Sequence, residues 1–443
     1  MRRERAKPRR FAAHSGIALG ERFATNNSNS FIKKSKRSNG RSGVHNQVRT
    51  KMFKPIRNAA LAGVVVSAFV LTACSAASGT GSTSGDTITI GAPLSTTGPA
   101  GGAGVEIRDG AKLAIKQLND AGGINGKKVA LNLQDPGGDP AKTVQLATPM
   151  MRDQNTVALL GPLLTPEISA LYNLAPQNKI AMVPPASAGV VTGAENGHFN
   201  DYTFRLNQPY TPLAKPLMAK ALEQIHAHRV AVLFVSDNPI YAGMGKAFGE
   251  GAKAAGAEVQ LVPLPQATTD FTSIVSAIAP GTDGIVLALA PELAGASAMA
   301  IRGAGIKADF IGDTSVLGAD VWKGSHGASL GTLAYSPYLR DASSQSKAFA
   351  EAFQKEYNHE PGLFSALGYD AIKMVATAAS GAKDVTRESV QKGLSTLEDF
   401  PAVTGTLSYD GSGDVKRAAL PFVRVGEGGA LEQIGSLEPE NAK

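Results

Sequence analysis

From Asp86 onward the chain alternates short β-branched runs with segments whose apolar positions recur every three or four residues. Thr87-Ile88-Thr89-Ile90-Gly91 reads as a strand. Val105 to Ala121 reads as a helix, with Ile107, Ala111, Ala114, Ile115 and Leu118 on one face. Gly122-Gly123 stops it, and Lys128 to Leu133 is the next strand. Asp139 is placed to cap a helix whose first residue is Pro140. Val157 to Leu160 is a strand, Pro166 to Gln177 a helix and Ile180 to Val183 a strand. After Phe204-Arg205-Leu206 the alternation starts afresh. Strands are expected at 230–235, 259–264, 284–289 and 310–311, with helices ending at Ala255 and covering 271–279 and 292–304. Two successive sets of strand–helix units predict an α/β fold of two doubly wound parallel-sheet lobes. In open parallel sheets a ligand lies beyond the carboxyl ends of the strands, so the residues after each strand are the ones to inspect.

A different pattern precedes the only cysteine, Cys74. Ala59 to Leu71 is uncharged and apolar, with the basic Met52-Phe53-Lys54-Pro55-Ile56-Arg57 before it and small residues, Ser75 to Ser82, after the cysteine. A basic start, an apolar middle and a small-residue cut site make a secretory signal peptide over 52–73. Its apolar run is shorter than the ~20 residues that a membrane-spanning helix needs. Leu71-Thr72-Ala73-Cys74 resembles the bacterial lipobox. That implies lipidation of Cys74, a flexible tether over 74–85 and anchoring at the extracytoplasmic face of a bacterial cell membrane. One acyl chain binds only marginally, so stable anchoring requires more than one on Cys74. A chance cysteine behind an ordinary signal peptide is the plainer alternative. Residues 1–51 are polar and basic without apolar periodicity, the composition of a disordered extension. Because Met52 opens a complete signal peptide, it is read as the true start; a genuine N-terminal extension is the other reading.

Charge placement then removes one class of partner. The whole chain is net +7, but residues 1–73 hold 16 of its 44 Lys/Arg and only two of its 37 acids, Glu4 and Glu21. Residues 74–443 therefore carry 28 basic and 35 acidic residues, net −7, and no basic surface for nucleic acid is expected. With the single cysteine assigned to lipid, no disulfide is expected. The 370 residues from Cys74 onward exceed what one core usually covers, again favouring two lobes. No Gly-x-Ser-x-Gly elbow, no Gly-x4-Gly-Lys-Ser/Thr loop and no Gly-x-Gly-x-x-Gly after a strand is read. His226 and His228 lie near a helix end without a third metal ligand close by. Neither catalysis nor a cofactor or metal is expected.

Several short runs stand in a telling order: Gly98-Pro99, Asp109-Gly110-Ala111 with Leu113-Ala114-Ile115, Asn119 to Lys127 (NDAGGINGK), Asp139-Pro140, Gly161-Pro162, Phe204-Arg205, Tyr369-Asp370-Ala371, Gly405 and Asp410-Gly411-Ser412-Gly413-Asp414. In that spacing, from Asp86 to about Gly429, the chain resembles type I periplasmic substrate-binding proteins, specifically the branched-chain amino acid (Leu/Ile/Val) receptors of ABC importers. The resemblance implies a monomer of two lobes that close on a ligand. Three crossovers would fall near Arg205-Leu206, Tyr335-Ser336-Pro337 and Ala418 to Leu420. Lobe 1 would take 86–206 and 336–417, and lobe 2 would take 207–335 and 418–443. The closed form would deliver an amino acid, or a related carboxylate or amide, to an ABC permease and ATPase complex. A sensor of the same fold for an amide or aromatic acid, signalling instead of transporting, is the alternative.

The site residues divide between the lobes. Pro166 suits the first position of a helix, which makes Thr165 its N-cap, and a helix N-terminus favours a carboxylate. Thr165 also matches the family hydroxyl that binds the ligand carboxylate; a purely structural cap is the other reading. In the turn Pro185-Ala186-Ser187-Ala188 the family uses backbone groups plus a threonine, which falls here on Ala188. Ser187 is one residue away, and the backbone of Ala186 and Ala188 remains available. Phe364 matches an aromatic pocket wall, or is ordinary helix core. In lobe 2, Tyr241 matches a pocket tyrosine to within one residue, since a gapless match lands on Ile240. The family acid for the ligand ammonium falls strictly on Thr314; Asp313 is favoured because a desolvated ammonium needs an opposite charge. Family aromatics fall on Ala103 and on Leu289 or Ala290, which implies a larger or reshaped pocket. Two cysteines that pair in some relatives fall on Gly138 and Leu164.

Overall fold

The computed structural model describes residues 87–187, 191–192, 200–409 and 411–440. Cys74, with the signal peptide and tether, lies outside the described residues, as does Ala188. The first stretch alternates as expected: β1 (Thr87–Pro93), α1 (Gly101–Asp120), β2 (Lys128–Gln134), α2 (Pro140–Arg152), β3 (Thr156–Leu160), α3 (Thr165–Tyr172), α4 (Leu174–Gln177) and β4 (Ala181–Val183). Its four strands pair in parallel in the order β2-β1-β3-β4. Asp139 caps α2, accepting from the amides of Ala141 and Lys142 at 2.8 and 3.2 Å. The helix expected over 166–177 is instead two, broken at Asn173. Pro176 explains the break, because its ring opposes the carbonyl four residues back, at Tyr172, and it brings no N–H.

A second stretch contains α5 (Ala214–Ile225), β5 (Arg229–Val235), α6 (Pro239–Ala254), β6 (Glu258–Leu264), α7 (Thr272–Ala277), β7 (Gly284–Ala288), α8 (Pro291–Gly303), β8 (Asp309–Gly312), α9 (Ala319–Gly324) and β9 (Leu333–Tyr335). Three helices follow, α10 (Ser344–Tyr357), α11 (Leu363–Ser380) and α12 (Arg387–Ser395). A small antiparallel sheet comes next, made of β10 (Phe400–Ala402), β11 (Gly405–Tyr409) and β12 (Val415–Lys416), and the chain ends on β13 (Leu420–Val425) and β14 (Leu431–Leu437). The second large sheet has the order β14-β13-β9-β8-β7-β5-β6. It is parallel from β9 to β6, as expected, and at one edge β13 adds on antiparallel to both its neighbours. Only five residues separate β13 from β14, too few for the crossover that parallel pairing requires.

Core membership changes three times along the chain. Phe204 and Leu206 belong to the core of the first sheet, whereas Leu213 and Leu217 belong to that of the second. Tyr335 lies in the second core and Tyr338 packs with Phe349 and Phe353 of α10. From Leu367 to Val415 the chain lies in the first core, and Leu420 returns it to the second. Within the first body α1 and α11 approach so closely that glycine is required on both. A Cβ on Gly110 would lie 1.8 Å from the Ser365 carbonyl oxygen, and one on Gly368 would lie 2.1 Å from that of Ile107. The turn after α1 has a similar demand: Gly123 has φ of +81°, and a Cβ there would meet the Lys127 carbonyl oxygen at 1.9 Å.

Candidate ligand-binding site

Three βα loops of the first sheet are tied together by a carboxylate that sequence reasoning missed. Glu167 is fully buried and accepts from Ser95 Oγ at 2.6 Å, Thr143 Oγ1 at 3.2 Å and the Leu164 amide at 3.3 Å. Ser95 in turn accepts from the Gly138 amide at 2.8 Å. The signal available was an acid in the first turn after Thr165-Pro166, which can reach back to the residue before the helix. That bond changes the reading of Thr165. It is the first helical residue rather than the cap, since Leu164 holds the extended cap conformation with ψ of 136°. The Thr165 side chain is half-buried and makes no hydrogen bond to another described residue. Its hydroxyl is therefore not committed to capping.

Beyond β4, Ala186 is buried and Ser187 half-buried. The Ser187 carbonyl accepts from Arg205 Nη1 at 2.9 Å, so that backbone acceptor is already engaged. Arg205 is fully buried; its Nε donates to Asp414 Oδ1 at 2.8 Å and its Nη2 to Thr192 Oγ1 at 3.0 Å. Nearby, Arg417 donates to the carbonyls of Thr404, Gly405 and Leu206, and its Nη2 also reaches Thr404 Oγ1. Asp370 accepts from the amides of Val403 and Thr404 and from Thr404 Oγ1, at 2.9, 3.0 and 2.6 Å. Several of the runs noted in the sequence thus meet where the chain passes between the two cores.

At the strand ends of the second sheet Asp313 is 3 % exposed and accepts from the Ser315 amide at 3.0 Å and Ser315 Oγ at 2.5 Å. Burial pushes its carboxyl up, opposed by those hydrogen bonds. No Lys, Arg or His among the described residues forms an ion pair with it. Tyr241 lies in the first turn of α6, whose cap Asn238 accepts from the Ile240 amide at 3.1 Å. Burial raises its phenol, as do the charges of Asp313 and Glu292, so Tyr241 and Asp313 share one environment. The neighbouring Ile240 packs on the first body, against the cluster that contains Ala186. Of the two register choices made from sequence, Ile240 thus reaches the first body, whereas Tyr241 packs on the cores of the second. Leu289 is wholly interior, and its carbonyl accepts from Ser315 Oγ at 2.9 Å; Ala290 precedes α8.

Phe364 opens α11, half-buried against the first core. Together with Thr314 and Leu317 of the second body it lines a cavity of about 720 Å³. Glu106 of α1 and the ion pair Arg340–Glu360 also border that cavity. Phe364 and Thr314 therefore face one space from opposite bodies, whereas Asp313, Tyr241, Thr165 and Ser187 do not line it, and no hydrogen bond joins Thr165 to Ser187. A Cβ on Gly138 would lie 3.4 Å from Leu164 Cδ1, so the two positions matched to paired cysteines are neighbours. One Gly-x-Ser-x-Gly run does occur, Gly327 to Gly331. It lies in turns between α9 and β9, with Ser329 buried 3.0 Å from Ser325 Oγ, and makes no strand-to-helix elbow.

Two α/β bodies with facing strand ends, a three-fold chain passage and a shared cavity are the architecture of a binding protein that holds a solute between lobes. The family of periplasmic binding proteins matches residues 87–430, and the chain belongs to it. It is accordingly a binding protein of that family, and not an enzyme. The leucine-, isoleucine-, valine-, threonine- and alanine-binding protein of Pseudomonas aeruginosa is 26% identical over 335 residues, covering 75% of this chain and 88% of that one. The leucine-specific-binding protein of Salmonella typhimurium is 24% identical over 317 residues, covering 70% and 82%. The branched-chain amino acid transporter substrate-binding protein LivJ from Streptococcus pneumoniae, solved with isoleucine, shares the fold with a TM-score of 0.72 at 24% identity, covering 80% of this chain and 100% of that one.

Proposed function

We propose that this protein is a lipid-anchored extracytoplasmic receptor that captures a small amino acid-like ligand between its lobes and delivers it to an ABC importer. The observation that carries the reading is Asp313: a carboxylate removed from water, without a cationic partner among the described residues, at a strand end beside the shared cavity. An uncompensated buried carboxylate is costly, and a ligand ammonium supplies the missing charge. Tyr241 lies beside it; Thr165, Ser187 and the backbone of Ala186 and Ala188 serve the ligand carboxylate, and Phe364 walls the side chain. The lobes are 86–206 with 336–417, and 207–335 with 418–443. A ligand that touches both shifts the open–closed equilibrium only by binding the closed form better. Binding of branched-chain and small amino acids by the Pseudomonas aeruginosa relative supports this class of ligand. An amide or aromatic acid is a second reading, favoured by a cavity in the middle of the roughly 300–1,000 Å³ range of small-molecule sites. The signal-peptide pattern and Cys74 support lipid anchoring.

Thermal-shift screening of the full chain against amino acids, amides and aromatic acids tests the reading. A ligand at a hundred times its Kd adds about 2.7 kcal/mol to stability. Amino acids should raise the melting temperature; silence across all of them, with a rise for an unrelated solute, would overturn the assignment.

A further inference from the structure

A second polar group stands beside Asp313. Tyr335 ends β9, is 1 % exposed, and its hydroxyl has no hydrogen-bond partner among the described residues. Strand β9 pairs in parallel with β8 in the register Ile311 to Leu333, so two residues further on Tyr335 stands level with Asp313. Side chains two apart share a face of a sheet. Ile311, Leu333 and Tyr335 all pack in the core on the α5 and α6 side, where Tyr241 and Tyr210 also pack. Asp313, still extended at φ −96° and ψ −161°, continues that face at the end of the sheet. The buried Tyr335 phenol is also raised by the Asp313 charge, which agrees with that placement.

From the neighbouring, unspent hydroxyl of Tyr335 and the cation-free carboxylate of Asp313, we infer that Tyr335 is a specificity-determining residue. It accepts the second N–H of a primary ammonium whose first N–H goes to Asp313. This rests on the proposed amino acid-like ligand and deepens it. A primary ammonium has three donors, and a carboxylate held by Ser315 engages them from one side only. Tyr335 supplies an acceptor from the adjacent strand, so the pair engages two N–H groups and selects against N,N-dimethylated amines, which keep only one, and des-amino acids, which have none. A buried hydroxyl left without a partner is unfavourable, and the ligand removes that deficit only when it brings a spare N–H.

The test titrates L-leucine and N,N-dimethyl-L-leucine, which keeps a single N–H, into the full chain and its Tyr335→Phe variant by calorimetry, with thermal melts of both ligand-free proteins. The variant keeps the ring and loses only the oxygen. Its ligand-free melting temperature should equal or exceed that of the wild type, because an unpartnered polar atom is gone. Its affinity for L-leucine should fall at least about tenfold, with the preference over N,N-dimethyl-L-leucine reduced by the same factor. Unchanged affinity and preference in a folded variant overturn the role of Tyr335 alone. Failure of the wild type to bind any amino acid overturns the proposed ligand class, and this inference with it. If Tyr335→Phe does not fold, wild-type protein that fails to discriminate between the two leucines still refutes the inference.

Discussion

Replacing Asp313 by Asn should separate binding from stability, with opposite signs. Two unit charges about 4 Å apart at an effective dielectric near 20 attract by about 4 kcal/mol. Removing one member of a buried, hydrogen-bonded charge pair typically costs about 2–5 kcal/mol. Amino acid affinity should therefore fall about 30-fold at the least and by about four orders of magnitude at the most. The ligand-free protein should behave differently. Burial raises the Asp313 carboxyl above its ordinary 3.8. A raised carboxyl contributes stability that is fully present below its unfolded value and is lost as pH rises through the folded one. At pH 7 the wild type bears that cost and the Asp313→Asn variant does not, while the Asn carbonyl still accepts from the Ser315 amide. Calorimetric titration and thermal melts at pH 7 give both readouts. The variant should bind far more weakly and melt at or above the wild-type temperature. Unchanged affinity with a lower melting temperature would refute the reasoning and make Asp313 a plain cap of the turn at Thr314.

Other expectations follow from neighbouring geometry. Thr165→Ala should weaken ligand binding by about tenfold while leaving the melting temperature within about 1 kcal/mol of wild type, because the hydroxyl makes no bond within the described fold; equal affinity would remove Thr165 from the site. Gly110→Ala should abolish soluble folded protein or lower its stability by more than about 3 kcal/mol, since the added carbon would sit 1.8 Å from the Ser365 oxygen; a wild-type melt would show that α1 and α11 do not meet there. Burial pushes the Asp370 carboxyl up to about 6, against three donors and Arg417. Its stabilising contribution is present below about 4 and is lost as pH rises through 6, about 3 kcal/mol in all. Between those pH values the difference in stability between wild type and Asp370→Asn should shift in that sense, and a pH-independent difference would contradict it.

The alternation of strands and helices was legible up to Ile311 because each unit there carries its own period and its own punctuation. Asp139-Pro140 is the clearest case, with cap and first residue both where the side chains require them. Beyond Gly312 periodicity was less helpful. Helices α10 to α12 return to the first core and β13 joins β9 from more than eighty residues away, and neither pairing leaves a local trace. At the site, family resemblance and strand-end reasoning pointed to Asp313, Tyr241 and Phe364; Tyr241 feels the Asp313 charge, and Phe364 lines a cavity with Thr314, the residue after Asp313. Glu167 and Tyr335 were not legible. One is a first-turn acid whose partners come from two other loops, and the other is a tyrosine in an apolar strand whose role depends on register with its neighbour. Arg205, Asp370 and Asp414 stood out as markers, but only their contacts show that they brace the passage between cores.

The measurement that bears most directly on the account is calorimetric titration of the full chain with L-leucine, L-isoleucine, L-valine, L-threonine and L-alanine at two temperatures. The account predicts saturation at one ligand per chain for at least one of them, with the negative heat-capacity change of apolar burial as the lobes close. No saturable heat for any amino acid, alongside one-to-one binding of a solute without an ammonium group, would contradict it.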